Sequence, residues 1–405
     1  MTTRLEGQDW LTSSATAAVM DALEAAGGPD CARFVGGCIR NALVGRPVDD
    51  IDIATRLKPE AAMAALKAAG LKVVPTGLAH GTVTAVSERR PYEITTLRRD
   101  VETDGRRAVV AFTDDWAEDA ARRDFRLNAL YADRSGLIFD PTGQGVEDAL
   151  AGRVVFVGDP DRRIEEDYLR ILRFFRFFAW YGRAAPDAGG LAACAAHADG
   201  LARLSAERVS KELLKLLAAP DPRAAVAAMR TAGVLERLVP GVPSANAFEA
   251  MVALSDDPVL RLSALLPDDA VVVTAAAQAL RLPRAMEARL GAAAAGPLDP
   301  ATPVATLRAL TYRLGRQAVS DRLIRGLAEA GGQGDRSVLT TVADWPVPRM
   351  PVGGRDLAKL GVEPGPDTGR ILKAFEDEWV AADFPATGHV ERLSRLVAAR
   401  RGRSG

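Results

Sequence analysis

The sequence predicts an α+β protein, with a small mixed α/β layer at the N-terminal end and helices alone after it. Three observations predict it. Short β-rich runs alternate with helical stretches over residues 1–150; beyond them, Leu-, Ala- and Arg-rich helical patterns take over. The chain of 405 residues is also too long for one compact core. The expected division is a head over residues 1–150, a helical neck over 151–220, and a helical body and tail over 221–405.

The elements follow in order. Thr12 to Ser14 can cap a helix that runs to Gly27–Gly28. "ARFVGG" reads as a strand ending in a glycine pair, and "CIRNALVG" as a short helix stopped by Gly45. "DIDIAT" is strand. "PEAAMAALKAAG" is helix, with Pro59 in its first turn and Gly70 at its end. "GTVTAVSERRPYEITTLRR" is a hairpin of two β-rich runs around turn residues. The polar "LRRDVETDGRRAVVAFTDD" reads as a mobile loop of the kind that closes over a site, and "RRDFRLNALY" reads as helix. Further on, "EEDYLRILRFFRFFAWYG", "AERVSKELLKLLAA" and "PRAAVAAMRTAGVLERLV" read as helices. The Ala/Gly/Pro-rich pieces near 183–200, 292–305 and 332–352 read as loops or linkers.

Composition narrows the classes. Apolar residues make up 48% and charged residues 26%, as in a globular protein, and the formal net charge is −1. A nucleic-acid partner therefore needs local basic patches. Cys31, Cys38 and Cys194 have neither disulfide-framework nor metal-ligand spacing, which fits a reducing cytoplasm. No window approaches the roughly 20 apolar residues of a membrane span, and "MTTRLEGQDWLTSSATAAVM" lacks the apolar core of a secretory signal. His80, His197 and His389 are isolated in sequence and form no metal cluster with the cysteines.

The chemistry concentrates in "VDDIDIAT". Alternate strand residues share a face, so Asp50 and Asp52 point one way while Ile51 and Ile53 point into a core. Asp49 reads as a turn or cap residue. Two carboxylates on one face repel unless a cation sits between them, and hard oxygen ligands at this spacing suit Mg²⁺. A solvated edge strand is the alternative. Just upstream, Gly36 and Gly37 permit a tight turn and close backbone approach at a helix start, where free N–H groups favour phosphate. Arg40, one turn in, can add a guanidinium to the same anion. Glu93 reads either as a third acid for two-metal phosphoryl transfer or as an ordinary cross-strand ion-pair partner.

These segments resemble, in order, those of the class II tRNA nucleotidyltransferases (CCA-adding enzymes) and the bacterial poly(A) polymerases. The matching segments are "GGCIRNALVGRPVDDIDIAT", "EITTLRRD", "RRDFRLNALY", "FDPTGQGVEDAL", "EEDYLRILRFFRF" and "SAERVSKELLKLL", together covering roughly residues 30–220. "PVGGRDLAKLGVEPGPDTGRILKAFEDEW" is similar to the tRNA-contacting tail of CCA-adding enzymes. The resemblance implies a nucleotidyltransferase head with a mixed β-sheet, Mg²⁺, ATP and CTP as substrates, and a tRNA 3′ end as acceptor. It also implies residue roles. Asp50 and Asp52 match the metal-binding pair, and Gly37 and Arg40 match triphosphate contacts. Arg123 matches a nucleotide-contacting arginine, and Asn128 sits where the ribose is read. Asp167, Arg170, Arg173 and Arg176 match a base-selecting helix. Asn41 departs from the family, which usually has Asp there; Asn keeps the acceptor oxygen and loses the charge.

The base-selecting residues have a chemical logic. Asp167 and Arg170 are i, i+3 neighbours if the helix is continuous, and could be a surface ion pair. As a template they differ usefully, since Asp only accepts and Arg only donates. Cytosine and adenine each present an amino donor beside a ring-nitrogen acceptor; uracil and guanine present the reverse. One such pair admits CTP and ATP and opposes UTP and GTP without any nucleic-acid template. The expected function is CCA addition. The alternatives are poly(A) addition, partial CC or A addition, or a non-catalytic RNA-binding relative.

Overall fold

The computed structural model describes residues 3–104, 107–239 and 245–401, which divide into two compact units, residues 1–240 and 241–405. The first unit begins with α1 (Asp9–Thr12) and α2 (Ser14–Gly27), the latter capped by the Ser13 side chain. Next come β1 (Ala32–Val35), α3 (Gly37–Leu43), β2 (Ile51–Thr55) and α4 (Pro59–Ala68). The strands β3 (Lys72–Gly77), β4 (Thr82–Ser87) and β5 (Arg90–Thr96) follow. β6 (Arg98–Asp104) and β7 (Arg107–Phe112) form a separate two-stranded ribbon. After α5 (Trp116–Ala121) come β8 (Tyr131–Ala132) and β9 (Ile138–Phe139).

The seven-stranded sheet runs in the order β3-β4-β5-β2-β1-β8-β9. β2 pairs parallel with β5 and the remaining neighbours are antiparallel, so the sheet is mixed. Strand alternation gives it two different faces. Phe34, Ile51, Ile53, Tyr92 and Ile94 are buried on one of them. There the Tyr92 hydroxyl meets the Thr16 hydroxyl of α2 at 3.0 Å. The opposite face carries Asp52 and Glu93, and its apolar part (Val35, Ala54) packs with Trp116 and Tyr131. One face is thus committed to core, which leaves the other for chemistry.

Helices follow: α6 (Gly145–Ala151), α7 (Pro160–Glu166), α8 (Leu169–Tyr181), α9 (Ala188–Ala196), α10 (Ala206–Leu217), α11 (Arg223–Thr231) and α12 (Leu235–Leu238). The first turn of β5's hairpin is tight, with both Glu88 and Arg89 at positive φ (49° and 67°). In α8 a row of phenylalanines is buried, and Phe156 stacks on Phe174 with ring centroids 5.6 Å apart.

Four sequence expectations need correction. The segment read as a mobile loop is the β6–β7 ribbon, paired from Arg98↔Phe112 onward; its tip, residues 105–106, lies outside the described residues. "RRDFRLNALY" is not a helix. Phe125 bridges to Phe156, Arg126–Asn128 is one 3₁₀ turn, and Tyr131 is in strand, because burying Phe125 against Phe156 outweighs local propensity. "EEDYLRILRFFRFFAWYG" is broken at Asp167, which is extended (φ −156°, ψ 105°) and whose carboxylate accepts from Leu169 N at 3.1 Å. The pieces read as loops near 183–200 and 332–352 each hold a helix: α9, capped by Asp187, which accepts from Gly190 N at 2.7 Å, and Ser337–Asp344, which buries Val338 and Val342.

Among its described residues, the regular elements of the second unit are all helices. One core gathers Leu307, Val319, Leu323, Val338 and Val342; another gathers Leu357, Ile371, Phe375, Trp379 and Leu393. Among the described residues no helix is long and apolar enough to cross a membrane.

Candidate active site

The site builds up from β1 and β2. β1 ends at Val35, and Gly36 turns the chain at φ 74° into the seven-residue helix α3. A Cβ on Gly36 would come 3.6 Å from Arg123 Nη1, and one on Gly37 would come 3.6 Å from Arg40 Nη2. The glycine pair therefore leaves a space lined by two guanidinium groups.

β2 then presents Asp52, with Asp50 exposed just before the strand. The parallel pairing places Glu93 directly beside Asp52, on the same face. Burial pushes the Asp52 carboxyl up to about 6, and the charges of Glu93 and Asp50 push the same way against Arg123 and Arg40. Five sequence-predicted residues are thus in electrostatic contact. Like charges held together with one carboxyl raised are what a bound cation relieves, and the donors are all hard oxygens, so the pair fits Mg²⁺. Among the described residues no three His, Cys, Asp or Glu form a ready-made metal cage. A cation here would need oxygens from its substrate as well. Among the described residues Glu93 has no basic partner, so the cross-strand ion pair is not formed. Asp49 is exposed, and among the described residues only its carbonyl is used, by Arg90 at 3.5 Å.

Arg123 is held by a residue the sequence did not single out. Asp119, 1% exposed, accepts from Arg123 Nη2 at 3.0 Å, Arg122 Nη2 at 2.7 Å and the Tyr131 hydroxyl at 2.7 Å. Burial alone would raise this carboxyl, but Arg123 and Arg122 hold it at about 2. Arg123 Nη1 makes no hydrogen bond among the described residues and faces the Gly36 space.

Arg40 is only 8% exposed and is gripped on three sides. Nη1 donates to Asn128 Oδ1, and Nη2 donates to Asn41 Oδ1 at 3.2 Å and to the Tyr181 hydroxyl at 2.8 Å. Asn128 in turn donates to Asp124 at 3.1 Å, and Arg173 donates to the other oxygen of Asp124 at 2.7 Å. Both ends of the Asn128 amide are therefore engaged. Burial would raise Asp124, yet Arg173 and Asn128 hold it at about 2. Asn41 uses what Asp would lack: its Nδ2 donates to Pro47 O at 2.9 Å.

The four base-selecting candidates lie at or beyond the α7–α8 junction, and none pairs with another through side chains. Asp167 pairs with Arg208 at 2.6 Å, Arg170 with Glu166, Arg173 with Asp124 and Arg176 with Glu212 at 2.5 Å. The expected shared helical face for Asp167 and Arg170 is corrected by the break at Asp167, although Arg170 N still donates to Asp167 O at 2.9 Å. His197 pairs with Asp161 at 3.0 Å, and the three cysteines are free and buried.

The strand–Gly-Gly–helix turn and the Asp52/Glu93 face define a nucleotidyltransferase head, and the comparisons agree. Residues 32–155 match the family described as the poly A polymerase head domain, and residues 190–245 match the probable RNA and SrmB-binding site of polymerase A. The mitochondrial CCA tRNA nucleotidyltransferase 1 of Danio rerio is 35% identical over 364 residues, covering 86% of this chain and 83% of the relative. The Homo sapiens counterpart is 33% identical, covering 87% and 83%. The crystal structure of the Bacillus stearothermophilus CCA-adding enzyme in complex with CTP superposes with a TM-score of 0.75 at 25% identity, covering 96% of this chain and 98% of that one. The chain belongs to the CCA tRNA nucleotidyltransferase family.

Proposed function

We propose that this protein adds CMP and AMP, taken from CTP and ATP, to the 3′ end of tRNA without a template. The observation that carries this is the strand face that sets Glu93 beside Asp52, with the charges of Asp50, Arg40 and Arg123 acting on Asp52 and the Gly36–Gly37 turn lined by Arg123 and Arg40. The relatives include CCA tRNA nucleotidyltransferases and a CCA-adding enzyme solved with CTP.

In this reading the RNA 3′ hydroxyl gives its proton to water, its oxygen bonds to the α-phosphorus as the α–β bridge breaks, and pyrophosphate leaves. Asp50 and Asp52 would hold Mg²⁺, which when bound activates the attacking oxygen and neutralises charge on the leaving group. Gly36 and Gly37 leave room for the triphosphate, and Arg123 Nη1 and Arg40 supply its cations. Asn128 holds Arg40 and keeps a lone pair for the ribose. Asp167 exchanges Arg208 for the amino group of cytosine or adenine, and Arg170 exchanges Glu166 for the ring nitrogen. Arg173 and Arg176 hold that end of α8 through Asp124 and Glu212. Three free, buried cysteines favour a reducing compartment such as the cytoplasm, while the vertebrate relatives are named mitochondrial.

The test is incorporation of labelled CTP and ATP on tRNA ending at the discriminator base, at C and at CC, with unstructured RNA as control. Stepwise CCA addition to tRNA alone supports the reading. Repeated A addition to either RNA would favour poly(A) synthesis, and no incorporation would refute both.

A further inference from the structure

Arg40 poses a packing problem. Its guanidinium is nine-tenths buried, burial pushes its pKa down, and Nε has no hydrogen-bond partner. A buried cation with a spare donor must be held firmly, or it will turn to satisfy that donor elsewhere. One part of that hold comes from a residue far along the chain, which reaches Arg40 both directly and through Asn41. Tyr181, the last residue of α8, accepts from Arg40 Nη2 at 2.8 Å and donates to Asn41 Oδ1 at 2.9 Å. The donor and acceptor roles close without conflict, since the hydroxyl has one proton to give and lone pairs to receive. The same ring lies 4.2 Å from the Arg40 guanidinium carbon and 4.8 Å from that of Arg46. Arg46 also donates to Trp180 O at 2.6 Å, which ties the last turn of α8 to the loop after α3.

We propose that Tyr181 is a positioning residue for nucleotide binding: its hydroxyl and ring fix the Arg40 guanidinium in the orientation that meets the substrate's phosphates. This rests on the reading of Arg40 as a triphosphate contact. Tyr181 itself touches no substrate. Its effect belongs to the phosphate end of the nucleotide and is indifferent to the base, because Arg40 is the group it holds. Pre-organising one charged contact changes affinity by the strength of that contact, on the order of tenfold.

Tyr181→Phe in the full chain keeps the ring and removes the hydroxyl. The expected result is a rise of about tenfold in KM for CTP and for ATP by the same factor. KM for tRNA and the inhibition constant of cytidine, which has no phosphate, stay unchanged. A purely structural role predicts instead a lower Tm and a lower active fraction with KM unmoved, which would overturn the proposal. Equal weakening of cytidine and CTP would overturn it too, by assigning Tyr181 to the base end. Arg40→Lys separates the two layers. If it leaves KM for CTP unmoved, the phosphate reading of Arg40 fails and takes the proposal with it. If it raises KM while Tyr181→Phe does not, only the positioning role fails.

Discussion

Asp119→Asn should separate the head's stability from its chemistry in a measurable way. The carboxylate is 1% exposed and accepts hydrogen bonds from Arg122, Arg123, Tyr131 and the backbone N of Arg98. Asn keeps the volume but sets an amide donor against groups that only donate here. The size follows from the carboxyl itself. Holding it at about 2 instead of 3.8 corresponds to about 2.5 kcal/mol of preference for the charged form. The arginine partners keep 15% and 20% of their side-chain surface exposed, so solvent takes back part of the loss. The expected destabilisation is about 2 kcal/mol at pH 7. Because the folded pKa lies below the unfolded one, this stability is present above pH 3.8 and lost as pH falls toward 2. Urea denaturation followed by tryptophan fluorescence suits the test, since Trp116 sits edge-on to Tyr131 at 5.3 Å. The wild-type advantage should shrink across that acid window, and CTP affinity should fall as Arg123 loses its anchor. A variant within about 0.5 kcal/mol of wild type at pH 7, or an advantage that ignores pH, would refute the reasoning.

Three further outcomes are expected. Asp50→Ala or Asp52→Ala should lower turnover by on the order of a hundredfold or more while tRNA binding persists, whereas Asp49→Ala, exposed and used only through its carbonyl, should be mild; equal damage at Asp49 in the same steady-state assay would put the strand register in error. Asp167→Ala should slow CTP and ATP use and raise the relative use of UTP and GTP, by roughly tenfold to a hundredfold in ratio; unchanged ratios among the four nucleotides would leave Asp167 as the partner of Arg208 and nothing more. tRNA affinity should fall with salt along a log–log line, and alanine at exposed Lys211, Lys215, Arg355 or Arg370 should each reduce the slope by about one; a slope unchanged by all four would remove them from the phosphate-tracking surface.

The legible parts of the site are those whose chemistry is local. Asp52 lies in a strand with Asp50 just before it, and Gly36–Gly37 sits between a strand and a helix, so spacing alone placed them near each other. The hydrophobic alternation around Glu93 put it on a strand, and the sheet then delivered it beside Asp52. Asp119, Asp124, Tyr131 and Tyr181 were not legible, because their importance lies in partners that only the folded chain brings to them, 49 residues away for Asp124 and 141 for Tyr181. Nothing in "WAEDAA" distinguishes Asp119 from a surface helix acid until Arg122, Arg123 and Tyr131 close over it. The helix break at Asp167 was hidden for a different reason: Tyr168 and Leu169 continue the apolar period, and only the carboxylate's bond to Leu169 N reveals the stop. The β6–β7 ribbon was missed because "RRDVETD" is polar and charged and "RAVVAF" is a short continuous apolar run, so neither shows the alternation of a half-buried strand.

The most direct test of the central claim is the sequence of nucleotides left on the RNA. A tRNA ending at its discriminator base is incubated with the enzyme, Mg²⁺ and all four nucleoside triphosphates together, and the 3′ end is read by mass spectrometry. The account predicts growth by C, C and A in that order and then arrest, with no U or G. A run of A residues, indiscriminate addition of all four, or no growth at all would contradict it.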